Sequence, residues 1–519
     1  MKKYIFLLSV AALGFTACES DYLDTAPEAS TATATIVEST DNVELSIMGI
    51  CRAMSQQYLG VQGCNGEGTI KNWFGNYPGG DTQKSNLTGW SSIINGTFHL
   101  TRTNTYLTYP WFYYYKLISN ANGVICNIDN ATGTESDKAY LKAQALTFRA
   151  YSFFRLAELY TLRWSDKKGD TPGIVLRVDD TTGDQALATQ AETYQQIYAD
   201  LDEAIKLFKQ SSRDRGADEF YKPNLNVAYA VYAKAALTRE DWQTAASYAK
   251  MAREGYSIMS SDQYHDGFYT PNSEWIWGVY DATDQTLYYY SFLAYIASNS
   301  NAGICRSYPF AISKELIDQI PESDTRRDLY LVPTAEEWVA GNALDKDGVE
   351  PASNSKSSLY KRGKANYADR LYSTSTIFPY MQFKFLCENT PGVGSFTVFR
   401  CADMYYVEAE ADCHLGKDSE AQQLIYDANK GYDPALEKST KTGADLLAEV
   451  KLYRRFDLWG EGSDWFDHKR WGEPMVRKSV ADGGSWNTTF AKTFNPSDAN
   501  DWTLVIPQKE IDYNKLVKQ

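Results

Sequence analysis

The sequence predicts an all-α protein in which antiparallel helix pairs form a scaffold carrying large irregular loop insertions. Two observations lead there. Apolar residues recur at helical spacing in blocks spread from residue 41 to residue 459. Between the blocks lie long Gly-, Asn- and Ser-rich stretches without that period, longer than ordinary connections.

The chain opens MKKYIFLLSVAALGFTACES. Lys2 and Lys3, then an uncharged run from Tyr4 to Ala17, make a secretory signal too short to span a bilayer comfortably. Phe15-Thr16-Ala17 before Cys18 resembles a bacterial lipobox with Phe in place of the usual Leu. That resemblance implies that Cys18 is acylated, becomes the mature N-terminus and ties the chain to membrane lipid. Residues 1–17 are assigned to the signal peptide and 18–40 to a lipidated, Ser/Thr/Ala/Glu-rich spacer. Residues 41–519 form one composite body, with an N-terminal part over about 41–270 and a C-terminal part over about 271–519.

Within the body, Val43, Ile47, Ile50 and Met54 predict a helix over 41–58. Residues 60–108 lose the period and scatter Trp73, Phe74, Tyr77 and Trp90 among Gly, Asn and Thr, which predicts a long irregular loop. Helical spacing returns at 110–128, 137–162, 190–210, 224–239 and 241–255. Residues 272–310 are mixed, with an apolar run Trp275–Tyr280 and a Tyr cluster, and 340–370 form a polar loop. Helices resume at 400–416, 418–430 and 443–459.

Two helix pairs share a register. Ala233 and Ala245 lie twelve apart and are followed by Ala249 and Ala252; Ala409 and Ala421 repeat the interval and are followed by Ile425 and Ala428. Small residues there let two helices approach closely across a short turn, which resembles the skeleton of a tetratricopeptide repeat with an incomplete Trp and Gly signature.

Composition excludes several classes. Removing residues 1–17 leaves 49 basic against 66 acidic residues, so the charge moves from −15 to −17. Such a body repels phosphate backbones, and no nucleic-acid partner is expected. Beyond Cys18, the seven cysteines Cys51, Cys64, Cys126, Cys305, Cys387, Cys401 and Cys413 have no CxxC and no regular spacing, so neither a disulfide framework nor a zinc site is expected; an isolated Cys51–Cys64 bridge stays open. His99, His265, His414 and His468 form no metal-binding motif, and no nucleotide or serine-hydrolase motif is present, so no cofactor is assigned.

Several segments resemble the SusD/RagB family, in order and over almost the whole mature chain. CESDYLDTAPEAS resembles its mature N-terminus; WFYYYKLISNANGVI its aromatic helix with a late Ala121-Asn122; AQALTFRAYSFFRLAELY, with Arg149-Ala150-Tyr151 and then Pro172-Gly173-Ile174, its most distinctive helix. Asp324-Arg326-Arg327 resembles its Asp-x-Arg step, FRCADMYYVEAEADCHLG its Arg-x-Ala-Asp-Met-Tyr helix, RRFDLWGEGSDWFDHKRW its C-terminal signature, and Ile506-Pro507 through Glu510 to Asn514 its end. TLRWSDKKGDTP replaces the family's usual Tyr-Gly-Asp-x-Pro. The resemblance implies a SusD-like helical fold with four tetratricopeptide-like units, no catalysis, and lid-like association with a TonB-dependent (SusC-like) outer-membrane transporter. It also implies a glycan cargo, or a peptide in some members, and a lipid-anchored place at the surface of a Gram-negative outer membrane.

The residues themselves point to stacking surfaces. Flat rings cover the apolar faces of sugars while nearby polar groups bond the hydroxyls. Residues 72–96 supply Trp73, Tyr77, Asp81, Gln83, Trp90 and Asn95; residues 284–308 supply Tyr288, Tyr289, Tyr290 and Tyr308. These are the candidate ligand-binding residues; no catalytic or metal-binding residue is assigned. In the C-terminal signature, Asp457, Glu461, Asp464 and Asp467 stand among Arg454, Arg455, Lys469 and Arg470, and ion pairing explains that arrangement better than catalysis. Glu408 and Asp412, four apart on one helix, are expected to be solvated acids rather than a glycosidase pair. The rival expectations are a glycosidase, which would release new reducing ends, and a repeat scaffold that binds no small ligand.

Overall fold

The computed structural model describes residues 37–57, 63–84, 90–282, 291–340, 357–390, 392–495 and 503–518. The assigned signal peptide, Cys18 and most of the spacer lie outside the described residues, as do Tyr288, Tyr289 and Tyr290.

The long helices are α1 (Thr40–Ala53), α2 (Thr105–Asn127), α3 (Glu135–Tyr160), α4 (Gln190–Ser211), α5 (Leu225–Thr238), α6 (Trp242–Ala252), α7 (Cys401–His414), α8 (Asp418–Asn429), α9 (Gly443–Asp457) and the shorter α10 (Asp464–Trp471). Their starts follow from local chemistry. Ser39, Asn104, Thr134, Thr189 and Asn224 each accept a hydrogen bond from a backbone N–H of the first turn, and Thr189 forms a reciprocal box with Glu192.

Helix α2 begins five residues before the predicted 110, because Pro110 lies inside it rather than at its start. The backbone beyond the proline is mended from outside. Trp111 N–H donates to the Tyr160 hydroxyl at 3.0 Å, and that hydroxyl donates to Leu107 O at 2.5 Å, bridging a rung of the helical ladder.

Helices α2 to α7 pack in succession, each against the next, and α7 also packs against α8 and α9. Ala233, Ala245, Ala249 and Ala252 are fully buried where α5 meets α6, as are Ala409, Ala421 and Ala428 where α7 meets α8. Left-handed Glu240 and Gly416 make the two turns. Trp242 stacks on His414 with ring centroids 3.9 Å apart and planes 9° apart, which fastens one pair to the other.

Strands are few. Among the described residues they form four antiparallel ribbons: β1 (Thr82–Lys84) with β5 (Phe310–Ile312), β2 (Pro172–Val175) with β3 (Leu187–Thr189), β4 (Trp275–Val279) with β6 (Phe396–Arg400), and β7 (Met475–Val476) with β8 (Thr493–Phe494). The fold is therefore mostly helical, as expected, with small ribbons that the all-α expectation did not contain. No described helix is long and apolar enough to cross a membrane. Cys51 and Cys64 are free, so the open question of a bridge between them is answered in the negative.

One departure bears on function. Residues 63–84 of the expected loop at 60–108 are not an irregular surface excursion, whereas 90–104 are turns with exposed positions. Gly66–Thr69 is a helical turn that widens over Ile70–Asn76, where Tyr77 N–H reaches five residues back to Asn72 O, and residues 63–84 are buried. The cause is a close crossing with the chain's far end: a Cβ at Gly75 would lie 2.2 Å from Gly462 O. Asn76 Nδ2 donates to Gly460 O at 2.7 Å, and Lys71 Nζ donates to Glu461 O at 2.5 Å.

Candidate ligand-binding site

Four aromatic rings from four places in the chain meet at one corner. Trp73 comes from the widened helix, Trp90 from the start of the turn Ser91–Ile94, Tyr106 from the first turn of α2 and Tyr295 from the short helix Phe292–Ile296. Trp73 lies 4.8 Å from Trp90, 5.0 Å from Tyr106 and 6.2 Å from Tyr295, the last two edge-on; Trp90 lies 5.7 Å from Tyr106. Trp73 and Tyr295 are buried, whereas Trp90 and Tyr106 are half-buried and form the outer layer. The inner rings thus hold the outer ones at fixed tilt, a firm apolar ledge with one hydroxyl, that of Tyr106.

The predicted site residues separate here. Trp73 and Trp90 come together, but Trp73, at 0% exposure, is a support and not a contact surface. Tyr77, 1% exposed, packs 5.1 Å from Phe310. Asp81 is buried and clamped by Arg455, whose Nε and Nη2 donate to its two oxygens at 2.7 and 2.6 Å. Gln83 is buried too and donates to Ser485 O at 2.5 Å. Their expected place on an exposed surface is corrected by that burial, which the crossing and the ribbon with β5 produce. Asn95 is half-buried and its backbone oxygen accepts from Lys492 Nζ at 3.0 Å. Tyr308 is half-buried and its backbone oxygen accepts from Lys84 at 2.7 Å. Tyr106 and Tyr295 were not singled out; the cap at Asn104, which puts Tyr106 on the first exposed turn of an aromatic helix, was the available signal.

Elsewhere, β6, α7, α9, α10 and the segments carrying Glu274, Asp324, Arg326, Lys384 and Glu461 bring charges together. Arg400 donates to Glu274 at 2.7 Å, to Asp457 at 2.8 Å and to Glu461 at 2.9 Å; Lys384 donates to Glu461 at 2.8 Å. Arg326 grips Asp324 at 2.6 Å, and Arg454 joins Asp403 at 2.5 Å to Asp467 at 2.7 Å. All these side chains are buried. Burial alone would raise the carboxyls of Asp457 and Glu461, but Arg400, with Arg326 and Lys384 for the first and Lys384 and Lys71 for the second, holds both below the usual range. Burial pulls Lys384 and Lys71 down to about 8. Of the ion pairing expected within the C-terminal signature, Asp467 meets Arg454 and Arg470, whereas Asp457 and Glu461 pair with cations outside it and Arg455 with Asp81.

Two openings compare with the ledge. A cavity of about 60 Å³, lined by Glu67, Lys71, Arg155, Arg400, Asp403 and Asp467 among others, has room for a few waters and none for a sugar ring. A shallow surface groove of about 550 Å³ runs along Gln185–Ala188 and one side of α4 and carries no aromatic ring.

A family model described as the SusD family matches residues 234–519, and one described as starch-binding, associating with the outer membrane, matches 21–237. The chain belongs to the SusD/RagB family. Its SusD-type relatives are distant: a SusD-like protein of Formosa agariphila is 24% identical over 508 residues, covering 90% of this chain and 89% of its own length. A SusD-like carbohydrate binding protein of Bacteroides vulgatus superposes with a TM-score of 0.75 at 20% identity, over 92% of this chain and 97% of its own. A SusD superfamily protein of Bacteroides thetaiotaomicron gives 0.72 at 20%, over 93% and 99%. The likeness to these structures establishes the SusD fold for the helical stack described above.

Proposed function

We propose that the protein binds an oligo- or polysaccharide at the cell surface without cleaving it and hands it to a TonB-dependent outer-membrane transporter, anchored through lipidated Cys18. Family membership supports the class of function. The observation that carries the site is the half-exposed pair Trp90 and Tyr106, backed by buried Trp73 and Tyr295. The ledge offers rings to stack on a sugar.

The acids support a binder rather than a hydrolase. Glu408 is held by Arg253 at 2.6 Å, Asp412 by Lys417 at 3.3 Å, and Asp457, Glu461 and Asp467 by arginines. A glycosidase needs two carboxyls flanking an open sugar site.

A shallow two-ring ledge gives modest affinity, on the order of micromolar to millimolar, since only the surplus over ordering and desolvation appears as binding. Isothermal titration against a panel of polysaccharides, with peptide pools as the competing cargo, tests the proposal. Heat with a glycan, with affinity about ten-fold weaker in Trp90→Ala, is the expected result. Binding of peptides alone, or new reducing ends released from any polysaccharide, would sink it.

A further inference from the structure

On the far side of the crossing, Asp81, Asp464 and His468 bring one donor atom each to within 4.8 Å of one another. Asp81 stands just before β1; Asp464 and His468 are four apart on α10 and so share one face of that helix. All three are buried, His468 at 7% exposure. Acidic groups alone would carry no inference, but His468 adds an independent observation: neither ring nitrogen has a hydrogen-bond partner among the described residues. Its Nε2 stops 3.6 Å from Asp464 Oδ1, too far for a hydrogen bond, and that oxygen is likewise buried without a partner. Asp464 Oδ2 accepts from Asp81 N–H at 2.7 Å, which fixes the carboxylate and leaves Oδ1 facing the imidazole. A Cβ at Gly79 would fall 2.2 Å from Asp464 Oδ2, so glycine at 79 is what lets the carboxylate reach this far.

We propose that Asp81, Asp464 and His468 form a buried site for a first-row divalent transition ion, with zinc the best fit. One imidazole and two carboxylates suit zinc and its neighbours, whereas calcium asks for six to eight oxygens. The Arg455 fork takes one lone pair on each Asp81 oxygen and Ser313 Oγ donates to Oδ1 at 3.4 Å, so Oδ2 keeps acceptor capacity toward the ion. Arg455 and Arg477 oppose a cation here, while Glu315 acts on Asp81 and Glu473 on His468 in its favour. Ligand atoms around tetrahedral zinc sit roughly 3.3 Å apart, so donor atoms spread over as much as 4.8 Å need to close by up to about 1.5 Å, a change within side-chain rotation. A bound ion would staple the buried segment before β1 to α10 across nearly the whole length of the chain. The inference does not depend on the glycan reading.

The test loads the full mature protein with zinc, passes it over chelating resin and counts metal per chain by mass spectrometry, with calcium in a parallel arm. The expected result is about one zinc per chain, no retained calcium, a higher melting temperature with zinc, and loss of both zinc effects in His468→Ala with the helical circular dichroism unchanged. Equal retention by the wild type and His468→Ala, retention below about a tenth of an equivalent, or preference for calcium would overturn the site. Should His468→Ala not fold, X-ray absorption at the zinc edge of the wild type decides: imidazole scattering together with oxygen supports the site, and its absence refutes it.

Discussion

The charged centre and the aromatic corner lie on neighbouring elements and are built on opposite principles. In the centre, Arg400 satisfies Glu274, Asp457 and Glu461 at once, and Tyr406 and Lys384 close the remaining hydrogen bonds. Directional bonds from several distant segments fix each carboxylate, and the space left beside them has room only for water. In the corner, rings meet only through edges and faces, and the outer pair, Trp90 and Tyr106, keeps a half-exposed surface. Saturated charge makes a frame; unsaturated apolar surface makes a place to bind.

Breaking the frame has the largest expected effect. Arg400→Met leaves three buried carboxylates without their shared cation, and removing one partner of a buried pair costs about 3–5 kcal/mol. Urea unfolding should show that loss, and a change below about 1 kcal/mol would contradict a structural role for the network.

Acid should separate the two regions next. Asp457 and Glu461 have depressed carboxyls when folded, because their cations outweigh the effect of burial. Their contribution to stability is complete above the unfolded values near pH 4 and disappears as pH falls through the lower folded values. Melting temperature should therefore drop steeply below about pH 4, while glycan binding at the corner, which involves no carboxylate, stays flat from about pH 5 to 8.

A smaller effect sharpens the contrast from the other side. Trp90→Ala should weaken the glycan about ten-fold while changing unfolding free energy by about 1 kcal/mol or less, the mirror image of Arg400→Met. Smallest of all, Tyr106→Phe keeps the ring and drops the hydroxyl, and titration should find affinity within about three-fold of wild type if stacking dominates.

The helical frame was legible because a buried helix must repeat its apolar residues every three or four positions. Most boundaries fall within a few residues of expectation. Two ends miss by five residues: α1 stops at Ala53 rather than 58, and α2 starts early, since Pro110 resembles a first-turn proline and the distant Tyr160 hydroxyl lets the helix run past it. The site was less legible. Trp90 was found, but Trp73, Tyr77, Asp81 and Gln83 sit in a segment without periodicity, which in sequence resembles a surface loop. The segment's far contacts, Gly75 with Gly462, Asp81 with Arg455 and Gln83 with Ser485, lie nearly four hundred residues apart, and no local pattern encodes a partner at that distance. The same distance hides Asp81 from Asp464 and His468.

The passage of Gly75 over Gly462 also sets an order on biosynthesis. A chain emerging from its N-terminus has the segment around Phe74 and Gly75 long before Gly462, Trp465 and Leu504, which lie against it, so early apolar surface must wait for the final stretch to arrive. A product that stops at residue 440 would therefore be no smaller working version of this protein but an unsealed one, whereas supplying the missing C-terminal piece as a separate chain should close the seam and restore solubility.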